Sequence, residues 1–128
     1  MRVAAVNDLQ IPPADATTTV AQLRQIVRRF VDERDWQQFH APKNISMALA
    51  IEAAELMEHF QWMGVEESRQ LSAGSDALAA VGEELADVLC YVLALANELD
   101  IDLAATLRAK MGKNEQKYPA DSYQGRYK

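Results

Sequence analysis

The segment 79–99, AAVGEELADVLCYVLALANEL, constrains the fold more than any other part of the chain. Wound as a helix, it is apolar around most of its circumference. Such a helix leaves no wide face for water, so it needs cover on several sides. Its longest unbroken apolar run, Val88 to Ala96, is far below the roughly 20 residues that span a bilayer. The cover is therefore protein, and no membrane association is expected. Ser75 or Asp76 starts this helix, which runs over 76–99 and sits at the centre of a bundle. Three amphipathic neighbours are a thin cover for it, which argues for an oligomer.

The rest of the chain supplies those neighbours. Thr19 with Gln22 fits a capping box, in which each side chain satisfies a free backbone N–H of the first turn. Leu23, Ile26, Val27 and Phe30 follow with the spacing of a buried stripe, giving a first helix over 20–34. Asn44 or Ser46 caps a second helix, 45–63, and Gly64 stops it. Residues 65–74 form a short turn and loop before the long third helix. Asp100 or Asp102 caps a fourth helix, 102–118, which Pro119 ends. The five glycines and four prolines are few, and the prolines lie near the proposed boundaries. Sustained period-2 alternation is absent. The expected fold is all-α and four-helix-bundle-like. An irregular arm (1–18) precedes the domain (19–119), and a flexible polar tail (120–128) follows it.

Charge narrows the function. Lys and Arg number 13 against 19 Asp and Glu, a formal charge of −6. A protein that coats a nucleic-acid polymer needs a basic surface, so that class is set aside. The apolar fraction, 49%, suits a folded core rather than a disordered chain. A single cysteine, Cys90, lies inside the apolar run, and no secretory signal is visible, so a reducing, cytoplasmic setting is expected.

Four acids stand out against apolar surroundings. Glu52 and Glu55 are three apart on the second helix, among Ala48, Leu49 and Leu56. Glu84 and Asp87 are three apart on the third, among Ala80, Val81, Val88 and Tyr91. Each pair shares a helix face. Ionised carboxylates in such places are costly without a counter-charge, and neither pair has a Lys or Arg one turn away on its own helix. Outward-pointing acids are the simpler explanation of either pair alone. Two pairs on antiparallel helices, however, converge on one point. An all-oxygen site without cysteine suits a hard ion, Mg²⁺ or Mn²⁺. Di-iron bundles use Glu-x-x-His, whereas here the second member of each pair is Glu or Asp and His59 falls four residues after Glu55.

Glu52-x-x-Glu55 followed by Glu84-x-x-Asp87 resembles the signature of the all-α nucleoside triphosphate pyrophosphohydrolases, the MazG-like superfamily, and within it the dCTP pyrophosphatase branch. The matching strings are RDWQQFHAPKN (34–44), AIEAAELMEHFQW (50–62), EELADVLCYVLALA (83–96) and KMGKNEQKYP (110–119), in order and at fitting spacing. The resemblance implies Mg²⁺-dependent cleavage between the α- and β-phosphates of a nucleoside triphosphate, dCTP or a modified dCTP, with Mn²⁺ as the alternative ion. It implies Glu52, Glu55, Glu84 and Asp87 as catalytic and metal-binding acids, one of which could be the base, with Glu55 a candidate. It also implies a homodimer or a homotetramer made of two dimers.

Lys110, Asn114, Lys117 and Tyr118 share a broad face of the fourth helix, and the resemblance lays that face against phosphates and sugar. Alone, it reads as a solvated basic face that favours the helix dipole. Trp36, Phe39, His40 and Trp62 are candidates for the base pocket. The resemblance supports Trp36 and Trp62, for which core packing is the even alternative. His40 reads as a pocket or structural histidine rather than a metal ligand. Tyr91, one turn after Asp87, is placed to bond an acid or the sugar, or is simply a buried tyrosine. Val27 stands where cytosine-selective relatives carry a histidine, and Gly112 and Lys113 also depart from that branch. Two competing functions are a non-catalytic helical oligomerisation or regulatory module and a hydrolase of another pyrophosphate-linked metabolite.

Overall fold

A computed structural model describes residues 14–126. The described residues are helical throughout, with short connections and no strand. The elements are α1 (Val20–Glu33), a 3₁₀ turn (Gln37–Phe39), α2 (Pro42–Glu58), α3 (Val65–Ser68), α4 (Asp76–Leu99), α5 (Leu103–Lys117) and α6 (Ala120–Tyr123). Most of the expected arm lies outside the described residues. Its last part turns at Ala14, whose carbonyl accepts from the Thr17 amide at 3.0 Å.

Local chemistry explains where the helices begin and end. The capping box at α1 forms as expected: the Thr19 amide donates to Gln22 Oε1 at 2.7 Å, and the Gln22 amide donates to Thr19 Oγ1 at 3.1 Å. Ser75 caps α4 by accepting from the Leu78 amide at 3.2 Å. Asp102 caps α5 by accepting from the Ala105 amide at 2.9 Å. Asp100 instead closes α4 in the left-handed region (φ 51°), a conformation that aspartate tolerates better than most residues.

The second helix departs from expectation at both ends. Ala41 is its N-cap and Pro42 its first residue, so neither Asn44 nor Ser46 caps it. Proline suits that position because its missing N–H would have no partner there and its φ is already helical. The helix ends at Glu58 rather than Met63, and Gly64 is the N-cap of α3 rather than a stop. The segment expected to be a flexible tail contains the helical turn α6, where Tyr123 meets the Tyr118 ring edge-on at 5.2 Å.

The core forms where α1, α2 and α4 meet. Val27, Ile45, Leu93 and Ala94 are buried there, with Leu23, Cys90, Tyr91, Leu95 and Leu103 packed around them. Ile45, at 2% exposure, is the most enclosed large side chain. The buried stripe of α1 is Val27 and Val31, while Phe30 turns aside to meet Trp36 edge-on at 5.7 Å. Ile45 packs near Leu93 and Ala94, and His59 approaches Glu84, so α2 and α4 run antiparallel.

Arg24 on α1 fixes the C-terminal end of α4. Its guanidinium donates to Asn97 Oδ1 at 3.0 Å, to the Ile101 carbonyl at 2.7 Å and to the Ala96 carbonyl at 3.1 Å. In return, the Asn97 amide donates to the Arg24 carbonyl at 3.0 Å. Helix α4 has no basic residue in its own last turn, so Arg24 supplies the donors that its final carbonyls lack.

Cover for α4 is one-sided. Its C-terminal half carries the buried residues Leu93, Ala94 and Ala96, whereas Leu78, Leu85 and Leu89 nearer its start are exposed. Helix α5 buries none of its residues, and only Leu103 at its base joins the core. Within one chain α1, α2 and α4 build the core, and α5 adds Leu103 from its base. The apolar positions of α5, such as Leu107 and Met111, remain open.

Candidate functional site

The facing surfaces of α2 and α4 bring acids together. Glu52, Glu55 and Glu84 each offer a carboxylate oxygen within 4.8 Å of the others. Their spacing explains the arrangement. Glu52 and Glu55 stand one turn apart on α2, and the antiparallel approach carries Glu84 opposite them. Asp87 lies outside this tight group, one turn further along α4, but its charge acts on Glu52.

Among the described residues, no Lys or Arg ion pair reaches these acids; the basic group that approaches is His59, with Nε2 3.9 Å from Glu84 Oε1. Glu52 Oε2 and Glu84 Oε2 are buried and have no hydrogen-bond partner among the described residues. The Glu52 carboxyl is pushed up to about 7, first by burial, then by the Glu55 side chain bonded to it, then by the charges of Glu55, Asp87 and Glu84. Each of these causes disfavours a second or third negative charge at one place. The same surroundings raise the Tyr91 hydroxyl and the Cys90 thiol, burial being the main cause for both and Glu52 or Asp87 the leading charge.

Unpaired buried carboxylate oxygens, clustered and all hard donors, fit a divalent cation such as Mg²⁺ or Mn²⁺. The ion would supply both the missing positive charge and the missing partners for Glu52 Oε2 and Glu84 Oε2.

Beside the acids is an open hollow of ≈ 390 Å³ lined by Trp36, Phe39, His40, Asn44, Ile45, Ala48 and Tyr91. The structure therefore brings Trp36, His40 and Tyr91 together. Trp62 is not among them: it sits on the turn after α2 and is 90% exposed. Lys110, Asn114, Lys117 and Tyr118 lie on or at the end of α5, away from the packed core. There Lys117 Nζ sits 5.3 Å from the Tyr118 ring, and the Asn114 side chain donates to Met111 Sδ at 3.7 Å.

Two neighbours of the site escaped the sequence reading. Asn44 reads there as a helix cap but lines the hollow, with its amide donating to the Phe39 carbonyl at 3.4 Å. His59 shares a face of α2 with Glu52 and Glu55 at i+7 and i+4, a signal that a strict three-residue template passes over.

A helical hairpin with a carboxylate cluster beside an aromatic hollow is the class of site these elements define. The chain belongs to the MazG-like family, whose model matches residues 47–128. It is similar to dCTP pyrophosphatase 1 of Rattus norvegicus, 40% identical over 107 residues, which cover 84% of this chain and 63% of the rat protein. Similarity to dCTP pyrophosphatase 1 of Homo sapiens is 41% over 102 residues, covering 80% of this chain and 60% of that protein. The chain thus matches less than two thirds of these relatives' length. The crystal structure of a pyrophosphatase from Archaeoglobus fulgidus superposes with a TM-score of 0.68 at 39% identity, covering 77% of this chain and 91% of that one.

Proposed function

We propose that this chain is a divalent-metal-dependent nucleoside triphosphate pyrophosphohydrolase acting on dCTP or a modified dCTP. The observation that carries the reading is the Glu52, Glu55 and Glu84 cluster with two buried, unpartnered oxygens. The names of the similar proteins supply the reaction class and the base.

Glu52, Glu55 and Glu84 would hold the ion, with Asp87 beside them. A divalent ion bound there supplies positive charge against the triphosphate and makes a nearby water more acidic. The reaction adds water across the anhydride between the α- and β-phosphates, giving a nucleoside monophosphate and pyrophosphate. Glu55 is more exposed than Glu52 or Glu84, so it is the acid best placed to take the proton of the attacking water. Trp36 offers a ring on which a base can stack, and Tyr91, His40 and Asn44 offer hydrogen bonds at the hollow's wall.

Lys110, Asn114, Lys117 and Tyr118 are assigned to the phosphates and sugar, and Trp62 to the base. None of these five residues lines the hollow within one chain, so the reading includes a homodimer or homotetramer. The apolar surface left on α4 and α2 supports this assembly. Leu85 is 56% exposed and Ile51 60%, on the two helices that carry the acids. A sizing measurement giving the 14.3 kDa monomer would overturn it. The cytoplasmic assignment belongs to the same reading. No helix among the described residues is long and apolar enough to cross a membrane.

Pyrophosphate release from a panel of nucleoside triphosphates with Mg²⁺ tests the reading. Turnover of dCTP or a modified form ahead of the other bases is the expected result, and no turnover of any nucleotide would sink it.

A further inference from the structure

The two oxygens of Glu84 have different surroundings. Oε2 is buried without a partner, whereas Oε1 faces the His59 imidazole at 3.9 Å. His59 is the C-cap residue of α2; its amide donates to the Leu56 carbonyl at 3.3 Å, and the next amide, Phe60, donates to the Met57 carbonyl at 3.0 Å. Its ring is therefore carried by a fixed piece of backbone. Glu52, Glu55 and His59 lie on one face of α2, so the same helix presents two acids to the cluster and an imidazole to its rim. The 3.9 Å gap is too long for a direct hydrogen bond but is closed by a small side-chain rotation or by one water.

We propose that His59 is a positioning residue for Glu84: the imidazole engages the outer oxygen, so the inner oxygen stays turned toward Glu52 and Glu55 as a cation ligand. The inference rests on the cation reading of the cluster. A group that holds a metal-binding carboxylate from outside fixes its rotamer, and its loss weakens metal binding by roughly 10- to 100-fold. His59 does not touch substrate in this assignment, so the effect belongs in metal affinity before it appears in turnover. A merely structural histidine at a helix end would leave metal affinity alone.

The test is Mn²⁺ binding to the full chain by titration calorimetry, without nucleotide. It compares the parent with His59→Leu, which removes the donor, and His59→Gln, whose amide reaches nearly as far as the imidazole Nε2. His59→Leu is expected to bind about tenfold or more weaker, the lower end of the outer-partner range, and His59→Gln to recover most of that loss. Smaller weakening or tighter binding in His59→Leu overturns the proposal. So does a His59→Gln as weak as His59→Leu. Should His59→Leu lose its helical circular dichroism, His59→Asn, whose amide is too short to reach Glu84, takes its place under the same criteria. Glu84→Gln separates the two readings. A parent that binds no Mn²⁺ overturns both; a parent whose binding Glu84→Gln removes and His59→Leu leaves intact overturns this one alone.

Discussion

Glu52 and Glu84, facing each other across α2 and α4, each hold a buried carboxylate oxygen that no group among the described residues satisfies. Two such oxygens at close quarters destabilise the folded chain unless a cation joins them. Mg²⁺ or Mn²⁺ is therefore expected to raise the melting temperature of the parent. Binding to the folded state alone adds about 2.7 kcal/mol at 100 times Kd. Glu84→Gln should lose most of that shift. It should also melt higher than the parent in EDTA, because a negative charge is gone. Turnover in this variant should fall by roughly 100-fold or more, the scale of metal-assisted charge stabilisation. Thermal scans with and without metal, run beside a pyrophosphate-release assay, check both.

The Glu52 carboxyl, raised from 4.5 to about 7, gives stability a pH dependence of definite sign. Between those values the folded state holds a proton that the unfolded state has released. Stability in EDTA is therefore lost as pH rises from about 4.5 to about 7, and the full penalty remains above that. Glu52→Gln should flatten this part of the profile. A parent and variant with parallel melting curves from pH 4.5 to 8 would contradict the assignment.

Arg24 and Asn97 join α1 to the end of α4 through reciprocal bonds. Arg24→Ala leaves the Ala96 and Ile101 carbonyls without their guanidinium donor and is expected to cost about 1–3 kcal/mol. The double variant with Asn97→Ala should cost less than the sum of the two, by about 0.5 kcal/mol or more. Urea unfolding of the four species measures the coupling. Additive effects would show that the two side chains act independently.

Ile45 is the most enclosed large side chain at the junction of the three packed helices. Ile45→Ala should destabilise the fold by about 2–5 kcal/mol, the range for emptying a core site. The same residue lines the hollow, so this variant should also bind nucleotide less well. Equilibrium unfolding reads the first effect, and KM against kcat reads the second.

Trp36, at 42% exposure, is available to a base on the open side of the hollow. Trp36→Ala should weaken nucleotide binding by about 1–3 kcal/mol, the usual value of one stacked base, with metal affinity unchanged. Trp36→Phe should recover part of it. Unchanged KM in Trp36→Ala would remove this residue from the base site.

Helix type was legible because spacing and capping are local. Thr19, Ser75 and Asp102 cap as their side chains suggest, and α4 spans 76–99 as its apolar pattern predicts. The α2 boundaries were less legible, since Pro42 works equally well as a break in the link or as the first residue of a helix. Acids at i, i+3 declared a shared face, but two pairs on separate helices do not declare their register. The antiparallel packing placed Glu84 against Glu52 and Glu55 and left Asp87 one turn aside. Trp36 and Trp62 look alike as residue types, yet one lines the hollow and the other stands in solvent.

By itself, then, the sequence determined an all-helical chain, a long apolar helix in need of cover, and acids too numerous for their surroundings. Local hydrogen bonding and side-chain periodicity suffice for those. Tertiary structure decided which acids meet, which of their oxygens are left without partners, and that His59 comes to Glu84. It also decided that α5 buries none of its residues and reaches the core only through Leu103. Those outcomes depend on how two helices distant in sequence align, which packing around Ile45, Leu93 and Ala94 sets and local patterning does not.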